Sequence, residues 1–143
     1  MTTQTPNKPK RHKSKDEDIA QKAVMTWARW QPLSPIGMVG KVSDFIHHSP
    51  NGGARDAREG ANFKLMGTKA GFPDLFLFIP ANGYHGLFIE LKRPKTATTA
   101  KGRVEANQKA MIERLNAQGY KAVVCYGAGE AIDEIKAYLE DDE

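Results

Sequence analysis

Residues 71–92 read GFPDLFLFIPANGYHGLFIELK, and this stretch decides the architecture. It holds two dense apolar runs, 74–79 (DLFLFI) and 86–92 (GLFIELK), separated by the turn signal Pro80-Ala81-Asn82-Gly83. Two strands so close in sequence are expected to pair as an antiparallel hairpin. Both faces of each strand are largely apolar, which places the hairpin in the middle of a sheet covered on both sides. Three ionisable residues interrupt the pattern. Glu90 and Lys92 are two apart and so share a strand face, while Asp74 opens the partner strand directly after Gly71-Phe72-Pro73. A register pairing Asp74 with either Glu90 or Lys92 brings all three side chains to one face, opposed Cβ atoms standing roughly 5 Å apart.

The flanking sequence supplies the layers around this hairpin. Apolar residues Ile19, Ala20, Ala23, Val24, Trp27 and Trp30 recur at helical spacing over 16–31; Asp16 to Asp18 suit the positive end of a helix dipole, and Pro32 stops the run. A strand is expected over 42–48, closed by Ser49-Pro50-Asn51-Gly52-Gly53, and a helix over 54–66 ending at Gly67. Beyond the hairpin a basic, threonine-rich loop covers 93–103. Val104, Met111, Ile112 and Leu115 form one stripe of a helix over 104–118 that ends at Gly119. A strand over 120–126 and a helix over 130–139 follow. Alternation of this kind predicts an α/β fold with a central mixed sheet flanked by helices.

With 143 residues there is room for one domain, over 16–143, preceded by a polar tail over 1–15 expected to be disordered. No apolar run approaches the ~18 residues a membrane span needs, and the N-terminus lacks a signal-peptide pattern, so a cytoplasmic location is expected. Cys125 is a lone cysteine in an apolar run and reads as a packing residue. The net charge of +4 is uneven: the tail carries five basic residues, the last four residues are all acidic, and 16 basic against 13 acidic side chains remain between them. Basicity alone is therefore weak support for a polyanion partner.

Charge placement says more than charge total. A carboxylate inside Leu87-Phe88-Ile89-Glu90-Leu91 costs several kcal/mol to bury without cationic compensation. Two converging carboxylates form a hard oxygen site suited to Mg²⁺ or Mn²⁺, and Lys92 stands ready to stabilise developing negative charge. The simpler alternative is a Glu90 to Lys92 ion pair on an edge strand. Gln108 lies on the apolar stripe of its helix and needs a polar partner there, while Glu17 shares a face with Ala20, Gln21 and Val24 or serves only as a helix-dipole acid. His47-His48 lacks the second cluster that zinc ligation requires. Arg55, Arg58, Lys64 and Lys69 on one side, and Arg93, Lys95, Lys101 and Arg103 on the other, are candidate phosphate contacts, or a solvated charged face.

Gly71-Phe72-Pro73-Asp74 followed by Glu90-Leu91-Lys92 matches the PD-(D/E)XK nuclease signature. More narrowly, Asn51-Gly52-Gly53-Ala54-Arg55, Lys64-Leu65-Met66-Gly67, Gly71 to Leu75, Leu87 to Lys92 and Gln108, in that order, resemble the VRR-NUC (virus-type replication-repair nuclease) branch over roughly residues 16–140. The resemblance implies a restriction-endonuclease-like core and a Mg²⁺- or Mn²⁺-dependent endonuclease acting on DNA. It implies that Asp74 and Glu90 bind the metal, that the Leu91 carbonyl completes its protein ligands, and that Lys92 is the catalytic lysine. Gln108 contributes from the following helix, and Glu17, with Gln21 four residues on, corresponds to the acid of the first helix. Stand-alone members of the branch resemble Holliday-junction resolvases and act as homodimers; Trp27 and Trp30 are then candidate dimer contacts. The family's viral examples imply a phage-encoded protein at work in a bacterial host cell. Two other readings stand beside this one: a flap or nicking nuclease, and a non-catalytic nucleic-acid-binding module of the same fold.

Overall fold

The computed structural model describes residues 15–50 and 57–140. In chain order the elements are helix α1 (Lys15–Trp30), strand β1 (Ile46–His48), helix α2 (Ala57–Leu65), strands β2 (Leu75–Leu77) and β3 (Leu87–Lys92), helix α3 (Ala106–Ala117), strand β4 (Lys121–Tyr126) and helix α4 (Ala128–Leu139). The sheet runs β1-β2-β3-β4, antiparallel in its first two pairings and parallel between β3 and β4, so it is mixed. None of the helices among the described residues is long and apolar enough to cross a membrane.

Strand periodicity divides the sheet into two chemically different faces. Leu75, Leu77, Leu87, Ile89 and Leu91 join Val24 and Ala28 of α1 and Ala131, Ile135 and Tyr138 of α4 in one aliphatic core. On the opposite face Phe76 and Phe88 stack at 4.1 Å between centroids, and Phe72 and Tyr120 meet Phe88 edge-on. With both faces covered, all six residues of β3 are buried, Glu90 and Lys92 included, as a strand apolar on both faces predicts.

The hairpin turn is where the sequence places it. Asn82 (φ 51°) and Gly83 (φ 82°) both have positive φ, the signature of the type I′ turn for which Asn-Gly is the preferred pair. The Asn82 amide also donates to the carbonyls of Tyr138 (2.8 Å) and Glu140 (2.9 Å), capping α4. Paired β2 is nevertheless shorter than the apolar run 74–79, although the Phe78 amide still donates to the Phe45 carbonyl in register with β1.

Three further expectations are corrected. Only 46–48 of the 42–48 run is strand: Val42–Asp44 is a 3₁₀ turn, held by the Asp44 carboxylate accepting from the Lys41 amide at 2.9 Å. The buried stripe of α1 is Ala20, Val24 and Ala28, with Trp27 half-buried and Ile19 and Trp30 exposed, since the helix meets the core along its small residues. Helix α4 starts two residues earlier than read, directly after Gly127 at φ 89°. Gly67 does end α2: its amide donates to Lys64 and that of Thr68 to Phe63, the paired bonds of a left-handed helix stop. Residues 1–14 of the tail, the 51–53 turn, the 54–56 start of the second helix and the acids at 141–143 lie outside the described residues, while Lys15, read as the end of the tail, opens α1.

Cys125 is buried, as its surroundings predict. Burial, with the Glu134 and Glu130 carboxylates adding to it against Lys121, pushes its thiol from an ordinary 9.0 up to about 12. A thiol held protonated in the folded state but free to ionise in the unfolded chain leaves stability untouched below about pH 9 and erodes it as pH rises toward 12. Cys125→Ala is therefore expected to cost on the order of 1 kcal/mol at pH 7, a deficit that shrinks between pH 9 and 12. Denaturant midpoints of both proteins across that range check it; a deficit that stays constant refutes it.

Candidate active site

Asp74, Glu90 and Lys92 are the only charged side chains among the described residues that are buried, at 6, 4 and 8% exposure. Their convergence follows from register. Leu75 pairs with Ile89, so one step further along the antiparallel ladder Asp74 comes opposite Glu90, and Lys92 follows on the same face. Lys92 Nζ stands 3.8 Å from Glu90 Oε1. Strand β3 lies between β2 and β4, so this ion pair is not the edge-strand feature that the simpler reading required.

The backbone around Asp74 is held from several sides. Its carboxylate Oδ2 accepts from the Leu91 amide at 2.8 Å. Its carbonyl accepts from the Ser49 amide (2.9 Å) and lies 3.1 Å from His48 Nδ1. A carbonyl only accepts, so His48 carries its proton on Nδ1. Gly71 (φ 77°) makes the lead-in possible: a Cβ there would fall 2.6 Å from the Asn107 carbonyl, so only glycine lets this loop approach the start of α3. Gly102 also packs its backbone on Lys92, less tightly, a Cβ there lying 3.3 Å from the lysine Cβ. The 93–103 loop thus covers the lysine stem.

Gln108 has the polar partner its position demanded. Its Nε2 donates to Glu90 Oε1 at 3.0 Å, and its Oε1 accepts from the Glu105 amide at 2.8 Å. The second bond caps α3 in the manner of a capping box and fixes which end of the amide faces Glu90. Replacing Gln108 with Leu removes a cap worth ~1 kcal/mol and leaves Glu90 with one donor fewer. The expected outcome is a small fall in Tm and a roughly 10- to 100-fold slower reaction, the usual range for a group that orients a ligand. If Gln108→Leu loses only stability, the glutamine is purely structural.

The other candidates come from α1, from α2 and the segment after it, and from the loop after β3. Glu17 sits half-buried in the first turn of α1. Arg58, Lys64 and Lys69 are exposed on or just after α2, and Arg55 lies outside the described residues. Arg93 is half-buried, its Nε donating to the Ala100 carbonyl at 3.1 Å. Lys95, Lys101 and Arg103 are exposed, Lys101 over the Tyr126 ring at 5.0 Å. The supporting roles of His48, Ser49, Gly71 and Gly102 were not read from the sequence. No local signal announced them: the capping box at the start of α3 has Glu105 where the usual sequence pattern has Ser or Thr.

A mixed sheet with flanking helices, bearing a buried acid, acid and lysine on adjacent antiparallel strands, defines a PD-(D/E)XK-like domain. The VRR-NUC domain family matches residues 14–129, and the chain belongs to it. A solved structure described as a VRR_NUC domain protein is 38% identical, covers 92% of this chain and 95% of its own, and superposes with a TM-score of 0.72. No curated protein matches the chain. Family membership carries a nuclease-type function.

Proposed function

We propose that this chain is a Mg²⁺- or Mn²⁺-dependent endonuclease that hydrolyses DNA phosphodiester bonds, with branched DNA such as a four-way junction as its substrate. The observation that carries the reading is the burial of Asp74, Glu90 and Lys92 together, with Gln108 clamped onto Glu90. Burying three charges is costly, and a module that only bound nucleic acid would gain nothing from it.

The donor set fits a hard cation: two carboxylates and, on the same side of β3 as the Leu91 amide that meets Asp74, the Leu91 carbonyl. Magnesium is commonly held by one or two carboxylates plus substrate phosphate and water, which suits a pair rather than a cage. When bound, the metal neutralises phosphate charge and makes water more acidic. Asp74 and Glu90 would hold it; Gln108 keeps Glu90 in one orientation; Lys92 orients the attacking water and stabilises negative charge as the water oxygen adds to phosphorus, its proton passing to solvent, and one bridging P–O bond breaks, the leaving oxygen taking a proton from solvent. Arg58, Lys64, Lys69, Arg93, Lys95, Lys101 and Arg103, with Arg55, contact flanking phosphates, and Glu17 supports the site from α1.

One site cuts one strand per visit, whereas a four-way junction is approximately two-fold symmetric. A C₂ homodimer with Trp27 and Trp30 at its interface therefore matches the substrate. Labelled linear, flap and four-way DNA incubated with and without Mg²⁺ or Mn²⁺, together with light scattering, is the test. Metal-dependent paired cuts by a dimer are expected. A micromolar monomer that cuts linear duplex as readily as a junction removes the dimer and junction readings, and no cleavage of any DNA removes the nuclease.

A further inference from the structure

A cavity of about 300 Å³ opens between the end of β1, the segment after α2 and the lead-in to Asp74. Phe63 and Phe72 line it, and Ser49, Thr68 and Lys69 add polar groups. Its volume is at the lower limit of small-ligand sites, room for one ring system rather than a large ligand. Phe72 is held in place, its ring meeting Phe88 edge-on at 5.4 Å. The wall is continuous with the proposed catalytic centre. Ser49 donates its amide to the Asp74 carbonyl, and Phe72 precedes Asp74 by two residues, at most about 7 Å of chain.

We propose that this cavity receives one unstacked nucleobase from the strand whose phosphate lies at Asp74 and Glu90. Flat rings of any base stack on phenylalanine without regard to sequence, and the Lys69 ammonium suits the phosphate that accompanies the base. A base inside intact duplex has both faces covered by its neighbours and would have to leave the stack, at a cost that falls where pairing is already interrupted. The cavity therefore gives a physical origin for preferring branched or single-stranded over continuous duplex DNA. The inference rests on the nuclease reading, and its test separates the two.

Single abasic residues are walked across the cleavage position of a four-way junction and of a single strand, and metal-dependent cutting by the full chain is timed. One position next to the cut is expected to slow the reaction roughly tenfold when its base is removed. Phe63→Leu should cut the intact substrate roughly tenfold more slowly and be indifferent to that abasic residue, whereas Phe63→Trp, which keeps a ring, should restore both rate and sensitivity. Absence of any sensitive position in the wild-type scan, or sensitivity that persists in Phe63→Leu, overturns the base site while leaving the nuclease intact. The wild-type scan decides the matter even if Phe63→Leu folds poorly. Failure to cut any DNA removes the nuclease reading and this inference with it.

Discussion

Asp74→Asn and Glu90→Gln are each expected to reduce DNA cleavage about a thousandfold or more while leaving the protein folded. Both substitutions preserve the hydrogen bonds that the structure assigns to these side chains. An asparagine oxygen still accepts from the Leu91 amide, as Asp74 Oδ2 does at 2.8 Å, and a glutamine oxygen still accepts from Gln108 Nε2, as Glu90 does at 3.0 Å. What each removes is one unit of negative charge from a site proposed to hold a divalent cation. Several kcal/mol of transition-state stabilisation depend on that cation, and each 1.36 kcal/mol is a factor of ten in rate. DNA affinity should be unchanged or slightly tighter, because a negative charge near the phosphate is lost. Single-turnover cleavage at saturating Mg²⁺, DNA binding and thermal unfolding, measured side by side, check all three parts. Near-wild-type turnover by either variant would sink the proposed metal site.

Lys92→Met should slow cleavage by about a hundred- to a thousandfold, the effect of removing one preorganised charge from the reacting centre, and should do so without loss of metal affinity. The methionine keeps most of the apolar stem that Gly102 packs against. Its loss of charge leaves the Glu90 carboxylate without the ammonium 3.8 Å away, so the metal-free variant should melt below wild type. Added Mn²⁺ should then raise its Tm at least as much as it raises that of wild type, since a ligand that binds only the folded state stabilises it by mass action and no ammonium remains to repel the cation. Calorimetric titration with Mn²⁺ and cleavage rates distinguish the roles. A variant that cuts within a few fold of wild type makes Lys92 a structural counter-ion; one that no longer binds Mn²⁺ makes it part of the metal site.

Much of the fold was legible because its signals are local. Strand β3 announced itself by a run apolar on both faces, the hairpin by Asn82-Gly83, and the ends of α2 and α3 by Gly67 and Gly119, each at positive φ. The misreadings also have local causes. Val42 to His48 has strand composition, yet Asp44 folds back on the Lys41 amide and turns the first half into a 3₁₀ turn. The stripe assigned to α1 included Ile19 and Trp30 on periodicity alone, whereas a helix packing closely on a sheet buries Ala20, Val24 and Ala28 and leaves the large residues outside.

Spacing along the chain is enough to pick out the residues that are chemically out of place: Asp74, Glu90 and Lys92 amid apolar strands, and Gln108 on an apolar helix stripe. Burial of a charge or an amide among hydrophobic neighbours can be read from spacing, because strand and helix periods are set by backbone geometry alone. Only the tertiary structure decided that Asp74 stands opposite Glu90 rather than Lys92, since a hairpin read from its apolar pattern leaves the register open by two residues. Only it brought Gln108 to Glu90, His48 and Ser49 to the Asp74 carbonyl, and Gly71 and Gly102 against their neighbours. Those contacts join segments up to tens of residues apart. Their geometry follows from how whole helices and strands settle on a shared core, and no periodicity within one segment encodes it.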